Sequence, residues 1–257
     1  MLKIPKSKFE IFDFFKGLRR NVCPTHRLMP EYLLYLSFIK NKNGIEIGGP
    51  SPIFKTMIPI YQTANRIDGV NFADNTIWEG QIKEGETYGY IKGKKGRQYI
   101  AEATDLSKIP TESYDFLVSS NCLEHVADTL KALKEWNRVI KKGGAFILAL
   151  PNPAECFDRN RPVTSFEHFL MDSKNEVGED DLTHLDEILE LHDLSLDPPA
   201  GSFEEFKLRS LDNFRNRALH HHVFDVPLIK KMLEYSNFKV LNICETKPGP
   251  FSLAIKL

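Results

Sequence analysis

Cysteine is scarce: four in 257 residues, Cys23, Cys122, Cys156 and Cys244, with no CxxC pair among them. That excludes a zinc ribbon or a CxxC redox centre. A disulfide-stapled scaffold makes no sense in a chain long enough to bury its own core. No apolar run approaches the ~18 residues a bilayer crossing needs. A basic excess is also missing. The 34 Lys+Arg face 35 Asp+Glu, a formal net charge of −1, which argues against a general nucleic-acid partner. Met1–Arg20 has no apolar segment followed by small residues, so no secretory leader is expected and the cytoplasm is the expected compartment.

What is present is ordinary globular composition, with 42% hydrophobic and 27% charged residues. The length suits one large domain or two small ones. Residues 1–43 read as a helical N-terminal extension. Phe9, Ile11, Phe12, Phe14, Phe15 and Leu18 supply an apolar stripe, and Met1–Arg20 carries six basic residues against two acidic ones. Such a helix either packs on the core with its basic face in water or makes peripheral contact with a membrane surface.

From residue 44 strands alternate with helices. Gly44–Gly48 reads as a first strand. Ser51-Pro52 starts a helix running to about Ala64. Ile67–Phe72 is a second strand. Residues 73–96 hold five glycines and read mostly as loop. Arg97–Ala101 and Tyr114–Ser119 are the third and fourth strands. A helix follows with Leu123, Val126, Leu130, Leu133, Trp136, Val139 and Ile140 on one face, and Lys141-Lys142-Gly143-Gly144 ends it. Ala145–Leu150 is an apolar fifth strand of the kind buried on both faces. Asp225 caps a last helix. Phe238–Cys244 and Phe251–Leu257 flank a turn so short that they must pair antiparallel. The pattern predicts an α/β fold: a doubly wound, mostly parallel sheet with a C-terminal antiparallel hairpin, an N-terminal helical extension and a helical insertion after the fifth strand.

That insertion, residues 153–222, is too long for a plain connection. Asp172–Asp197 holds ten acids against Lys174 alone, and the insertion carries His168, His184, His192, His220, His221 and His222. His184 and Glu187 stand at i, i+3 and His168 and Asp172 at i, i+4, so each pair shares a helix face. Each could be a base with its orienting acid, could hold a divalent ion, or could belong to a solvated helix. In that third case the stripe Leu182, Leu185, Ile188, Leu189 and Leu191 packs on the core. His220 and His222 point one way and His221 the other if the backbone is extended.

Three segments carry a resemblance. These are the run Tyr114-Asp-Phe-Leu-Val-Ser-Ser-Asn-Cys-Leu-Glu-His-Val126, then Leu133-Lys-Glu-Trp136, and Val139-Ile-Lys-Lys-Gly-Gly144; the turn Glu46-Ile47-Gly48-Gly49-Pro50-Ser51 by itself is either a ligand-binding turn or a tight strand-to-helix turn. Together the three segments resemble the small-molecule branch of the class I S-adenosylmethionine-dependent methyltransferases, over residues 44–152 and 223–257. The resemblance implies a Rossmann-like core, S-adenosylmethionine as cofactor, and methyl transfer to a small acceptor (sugar, lipid or other metabolite), at oxygen. It assigns Glu46, Gly48 and Gly49 to the turn beside the cofactor's amino-acid end. Asn71 falls where the family has its ribose-binding acid, and Glu102 where an acid takes the adenine amino group, with Thr104 and Asp105 nearby. Asn121 and His125 follow the fourth strand; Glu124 and His125 either start a helix and pack there or put His125 near the methyl donor. Asn71 and Pro50 depart from the family pattern, and they support the alternative of a non-catalytic cofactor-binding or partner-binding module. A nicotinamide dehydrogenase is disfavoured because no G-x-G-x-x-G follows the first strand. The insertion is expected to fold over the sheet as acceptor site or lid, with His184, His221 and His168 as candidate bases. An imidazole base would give a pH limb near ~6.5, whereas a metal role would give chelator sensitivity; no metal ligand is assigned.

Overall fold

The computed structural model describes residues 28–257. The expected basic amphipathic helix lies outside the described residues, apart from the end of the extension, where Tyr32–Ser37 forms a short helix, α1. The strands are β1 (Asn43–Ile47), β2 (Arg66–Asn71), β3 (Asn75–Thr76), β4 (Gly80–Gln81), β5 (Gly85–Ile91), β6 (Lys94–Ile100), β7 (Tyr114–Ser120), β8 (Ile140–Ala149), β9 (Phe238–Glu245) and β10 (Pro250–Lys256). Eight of them form one sheet in the order β5-β6-β2-β1-β7-β8-β10-β9. The five strands from β6 to β8 run parallel. β10 lies antiparallel between β8 and β9. The chain winds outward from β1 in one direction and from β7 in the other, so the strand order reverses between them. Ligands of such sheets bind beyond the carboxyl ends of the strands at that point.

Alternation along the strands gives each face its own core. Ile45, Ile47, Leu117, Phe146 and Leu148 face one layer with Leu133, Trp136, Ile229 and Met232. Phe116, Val118, Ile147, Phe251 and Leu253 face the other with Tyr35, Leu36, Phe54 and Ile60. The parallel sheet covered by helices on both faces is the architecture the sequence predicts.

Several local expectations change. The segment 73–96 is not mostly loop: it contains the β3–β4 hairpin and an added edge strand, β5, antiparallel to β6. Its glycines read as loop chemistry, but Gly96 is a strand glycine. A Cβ there would sit 1.8 Å from the carbonyl oxygen of Ile67 in β2. The helix expected from Ser51 to Ala64 is two single turns, Ile53–Thr56 (α2) and Ile60–Thr63 (α3). Pro59 interrupts them, since proline has no N–H to continue the ladder. The helix after β7 is also divided. Leu123–His125 is one 3-10 turn, and the α-helix proper, α4, is Thr129–Val139, capped by the Asp128 carboxylate accepting from Lys131 N–H. It ends at Val139, one residue before β8. Gly143, at φ +73°, therefore turns the backbone inside β8 rather than capping the helix.

The insertion contains α5 (Phe166–Asn175), α6 (Leu185–Leu191), α7 (Phe203–Leu211) and α8 (Asn213–Asn216). Phe166 and Phe169 of α5 join the main core. The stripe on α6 does not: Ile188 packs with Ala200, Phe206 and Leu219 in a small core of the insertion itself, with Leu182 and Leu189 against it.

The last helix, α9 (Val226–Tyr235), begins as expected at Asp225, whose carboxylate accepts from Leu228 N–H at 2.8 Å. Replacing Asp225 with Ala should cost about 1 kcal/mol, the usual worth of an N-cap. The expected result is a lower urea midpoint with an unchanged slope. An unchanged midpoint would mean the helix start is held by packing of Leu228 and Ile229 alone.

Candidate active site at the carboxyl edge of the sheet

The turn after β1 is built around Glu46, which is fully buried. Its carboxylate accepts from Ser51 N–H (2.9 Å), from Tyr61 OH (2.8 Å to the nearer oxygen) and from Tyr88 OH (2.6 Å). Burial pushes its pKa up to about 7, against the lowering effect of these hydrogen bonds. Ser51, expected as a helix cap, spends its N–H here instead. Gly48 stands at φ +78°, and a Cβ on it would lie 2.6 Å from Cys122 Sγ. Glu46 therefore stitches the turn from below, and Gly48 leaves its upper side open.

Asn71, at the end of β2, is turned onto the same structure. Its Nδ2 donates to the Gly49 carbonyl at 3.1 Å, and its Oδ1 accepts from Gln98 Nε2 at 3.0 Å. Both halves of its amide thus have protein partners. Just past β6, Glu102 makes a two-pronged ion pair with Arg217, at 2.9 and 3.1 Å. Arg217 comes from the insertion, adopts a left-handed backbone (φ +55°), and lies 5.0 Å above the Phe72 ring. The sequence gives no signal for it, since Arg217 lies beyond the acidic run Asp172–Asp197 and close to Arg209 and Arg215. Asp105 is exposed, and its carboxylate accepts from Ser107 N–H, which holds its pKa down. Thr104 is half-buried beside it.

Past β7, Asn121 is exposed in a left-handed conformation, φ +47°. Glu124 is 1% exposed, and neither carboxylate oxygen has a hydrogen-bond partner. Burial pushes its pKa up to about 7, opposed by the charge of His220. His125 Nδ1 lies 3.0 Å from the Leu219 carbonyl, which accepts its proton when that tautomer is present. Burial and then His220 hold the His125 pKa well down. The His125 ring meets His220 edge-on at 4.5 Å and Trp78 at 5.3 Å.

His220 is bonded through Nδ1 to Asp158 at 2.5 Å, and Arg161 holds the other Asp158 oxygen at 3.0 Å. Burial works against the imidazolium, but the Asp158 charge and hydrogen bond outweigh it and raise the His220 pKa. Asp158 falls to about 2: burial opposes this, and His220 with Arg161 overcomes it. Asp158 and Arg161 also escaped the sequence reading, because nothing in their spacing brings them to residues 220 and 221.

Of the expected bases, His221 borders this group, and His168 and His184 face each other. His221 is 2% exposed, its backbone N–H donates to the Glu124 carbonyl, and its Nε2 lies 3.1 Å from Asn213 Nδ2. Burial and the neighbouring His222 lower its pKa to about 3, so it gives no titration near 6.5. His184 does not face Glu187, which pairs with Arg161 instead. It faces His168, Nε2 to Nε2, at 2.9 Å. The pairing of His168 with Asp172 is present, at 3.1 Å.

A parallel sheet with an open glycine turn at its switch point, an acid after the third parallel strand and buried titratable groups after the fourth defines a Rossmann-like, nucleotide-type site. Residues 61–148 match the family described as "Methyltransferase domain". An S-adenosylmethionine dependent methyltransferase from Mesorhizobium loti shares the fold with a TM-score of 0.51 and 13% identity, over 88% of this chain and 96% of that one. A protein from Pyrococcus horikoshii OT3 does so with a TM-score of 0.51 and 11% identity, over 98% and 93%. No curated protein matches the sequence. The family match spans about a third of the chain, and the two solved structures show the fold. Residues able to meet S-adenosylmethionine are present: Gly48 is exposed at the turn, and the Glu102 carboxylate, 40% exposed, stands at the strand end. No helix among the described residues is long and apolar enough to cross a membrane.

Proposed function

We propose that the chain moves the methyl group of S-adenosylmethionine to an oxygen of a small acceptor, a sugar, lipid or other metabolite, in a cleft roofed by residues 153–222. The observation that carries this reading is Glu124: a buried carboxyl with two unpartnered oxygens, beside His125 and His220. When bound, the cofactor supplies an electrophilic methyl on a sulfonium. The chain supplies position and proton handling. The turn at Gly48 and Gly49 takes the cofactor's amino-acid end, and Glu102 takes the adenine amino group, with Thr104, Asp105 and Asn121 alongside. Glu124, with a pKa near neutrality, accepts the acceptor's hydroxyl proton as the new bond forms. His220, fixed by Asp158 and Arg161, faces that charge and stabilises it. The base role expected of His168, His184 and His221 passes to these two residues. Closed, polar surroundings of this kind suit a metabolite better than a macromolecular surface.

The test is a screen of metabolite extracts with methyl-labelled donor. Label appearing in a small hydroxyl compound is the expected result; label on protein or nucleic acid would overturn the acceptor class. The Arg217–Glu102 ion pair favours a second reading, a non-catalytic module whose adenine position is closed by its own arginine. Calorimetry with S-adenosylhomocysteine separates the two: binding supports the enzyme, and its absence supports the module. In the first case Glu102→Ala should weaken donor affinity by about one to two decades, the worth of a charge-assisted hydrogen bond. Unchanged affinity would remove Glu102 from the site.

A further inference from the structure

Among the described residues, three histidines that the proposed reaction does not use come together. His168 lies on α5, His184 immediately precedes α6, and His222 precedes α9. One ring nitrogen from each falls within 4.8 Å of the others. The rings meet edge to face rather than stacked, at interplanar angles of 69°, 62° and 72°. In that arrangement in-plane lone pairs can converge on one point. Asp172 joins them: its Oδ2 is 3.1 Å from His168 Nε2 and 3.0 Å from His222 Nε2.

Hydrogen bonding alone serves this cluster poorly. His168 Nε2 contacts both the Asp172 carboxylate and His184 Nε2, and no tautomer of His168 gives each of these contacts a proton of its own. A cation at the centre would satisfy all the facing lone pairs together. The outer contacts are also of the right kind. His222 Nδ1 is 3.3 Å from the Thr129 hydroxyl, which can accept from Nδ1–H and so leave the Nε2 lone pair for a metal.

We infer that His168, His184 and His222, with the adjoining Asp172 carboxylate, form a binding site for one divalent transition-metal ion that clamps three segments of the insertion to one another. A set of three imidazoles and one carboxylate selects Zn²⁺ or a similar borderline ion over Mg²⁺ or Ca²⁺, which prefer all-oxygen shells. Tetrahedral coordination with bonds of ~2.0–2.1 Å places neighbouring donors about 3.3 Å apart, between the contact and the limit seen here. His168 is 30% exposed, which provides the entry path. The ligands come from three separate stretches of chain, and α4 supplies Thr129 behind them. An ion here would therefore fix α5, the start of α6 and the segment before α9 against one another. Its role is to hold the insertion's own fold, and it takes no part in methyl transfer.

The test uses the full chain, stripped with a chelator and then titrated with Zn²⁺ or Co²⁺. The expected result is one ion per chain, visible Co²⁺ bands of tetrahedral intensity, and a melting temperature that rises with metal. His168→Gln and His184→Gln, both at partly exposed positions, should each weaken Zn²⁺ binding by at least ~10–100-fold while leaving the metal-free melting temperature close to wild type. His220→Gln alters the separate group of Glu124, His125 and His220 and should retain the ion. Absence of stoichiometric binding by the wild-type chain would overturn the inference. So would unchanged affinity in both His168→Gln and His184→Gln. Neither outcome bears on methyl transfer, because the readout is metal binding alone.

Discussion

Gly48→Val should abolish binding of S-adenosylhomocysteine, by at least ~100-fold in a calorimetric titration, while the far-ultraviolet dichroism stays that of the wild type. Two effects combine. Gly48 stands at φ +78°, a conformation that costs an L-residue about 1–2 kcal/mol and a β-branched one more. A Cβ would also sit 2.6 Å from Cys122 Sγ and 2.7 Å from Cys122 Cβ. The turn lies at the end of the sheet, so the strain is relieved by moving the turn rather than by unpairing β1. The moved turn no longer offers the cofactor its backbone. Combining Gly48→Ala with Cys122→Gly should recover part of the affinity, because it removes both close contacts and leaves only the backbone term. A folded Gly48→Val protein that binds normally would put the donor elsewhere.

Glu124→Gln should lower the rate of methyl transfer by ~10²–10⁴-fold at saturating donor and acceptor, the usual cost of losing a general base. Wild-type turnover should fall as pH drops below about 7, where the Glu124 carboxyl takes up its proton. The variant's residual rate should lack that limb. Stability should move the opposite way. The folded pKa of about 7 lies above the ordinary 4.5, so between those values the folded state holds a proton that the unfolded state has released. Stability therefore falls as pH rises through this window, by up to about 3 kcal/mol for this one group, and stays low above it. Gln carries no such titration. Its melting temperature should exceed that of the wild type at pH 8 and match it near pH 4.5. A variant with full activity, or with a pH-independent difference in melting temperature, would remove Glu124 from the reaction.

The parallel core was legible because each strand is its own signal. Phe116–Val118 and Ala145–Ala149 are continuous apolar runs, and the Asp225 cap and the short Thr246–Gly249 turn are local chemistry. Local signals misled where glycine serves packing instead of turning, as at Gly96. They also misled where a better cap lies inside a periodic stretch, as at Asp128. The candidate site divides in the same way. Glu46, Gly48, Gly49 and Glu102 sit at strand ends, and strand ends can be counted from the sequence.

The sequence by itself determined the α/β class, the position of the glycine turn and the presence of an acidic, histidine-rich insertion. Those properties follow from periodicity and residue type over a few neighbouring positions. Only the tertiary structure decided what the insertion's side chains meet. His168 and His184 are 16 residues apart, Asp158 and His220 are 62 apart, and Glu102 and Arg217 are 115 apart. No short-range pattern encodes such pairings. They arise because the insertion has its own small core and is joined to the segment after β7 by backbone bonds such as His221 N–H to the Glu124 carbonyl. That placement turns Arg217 onto Glu102, puts His220 beside an otherwise unpartnered Glu124, and gathers three histidines around one point.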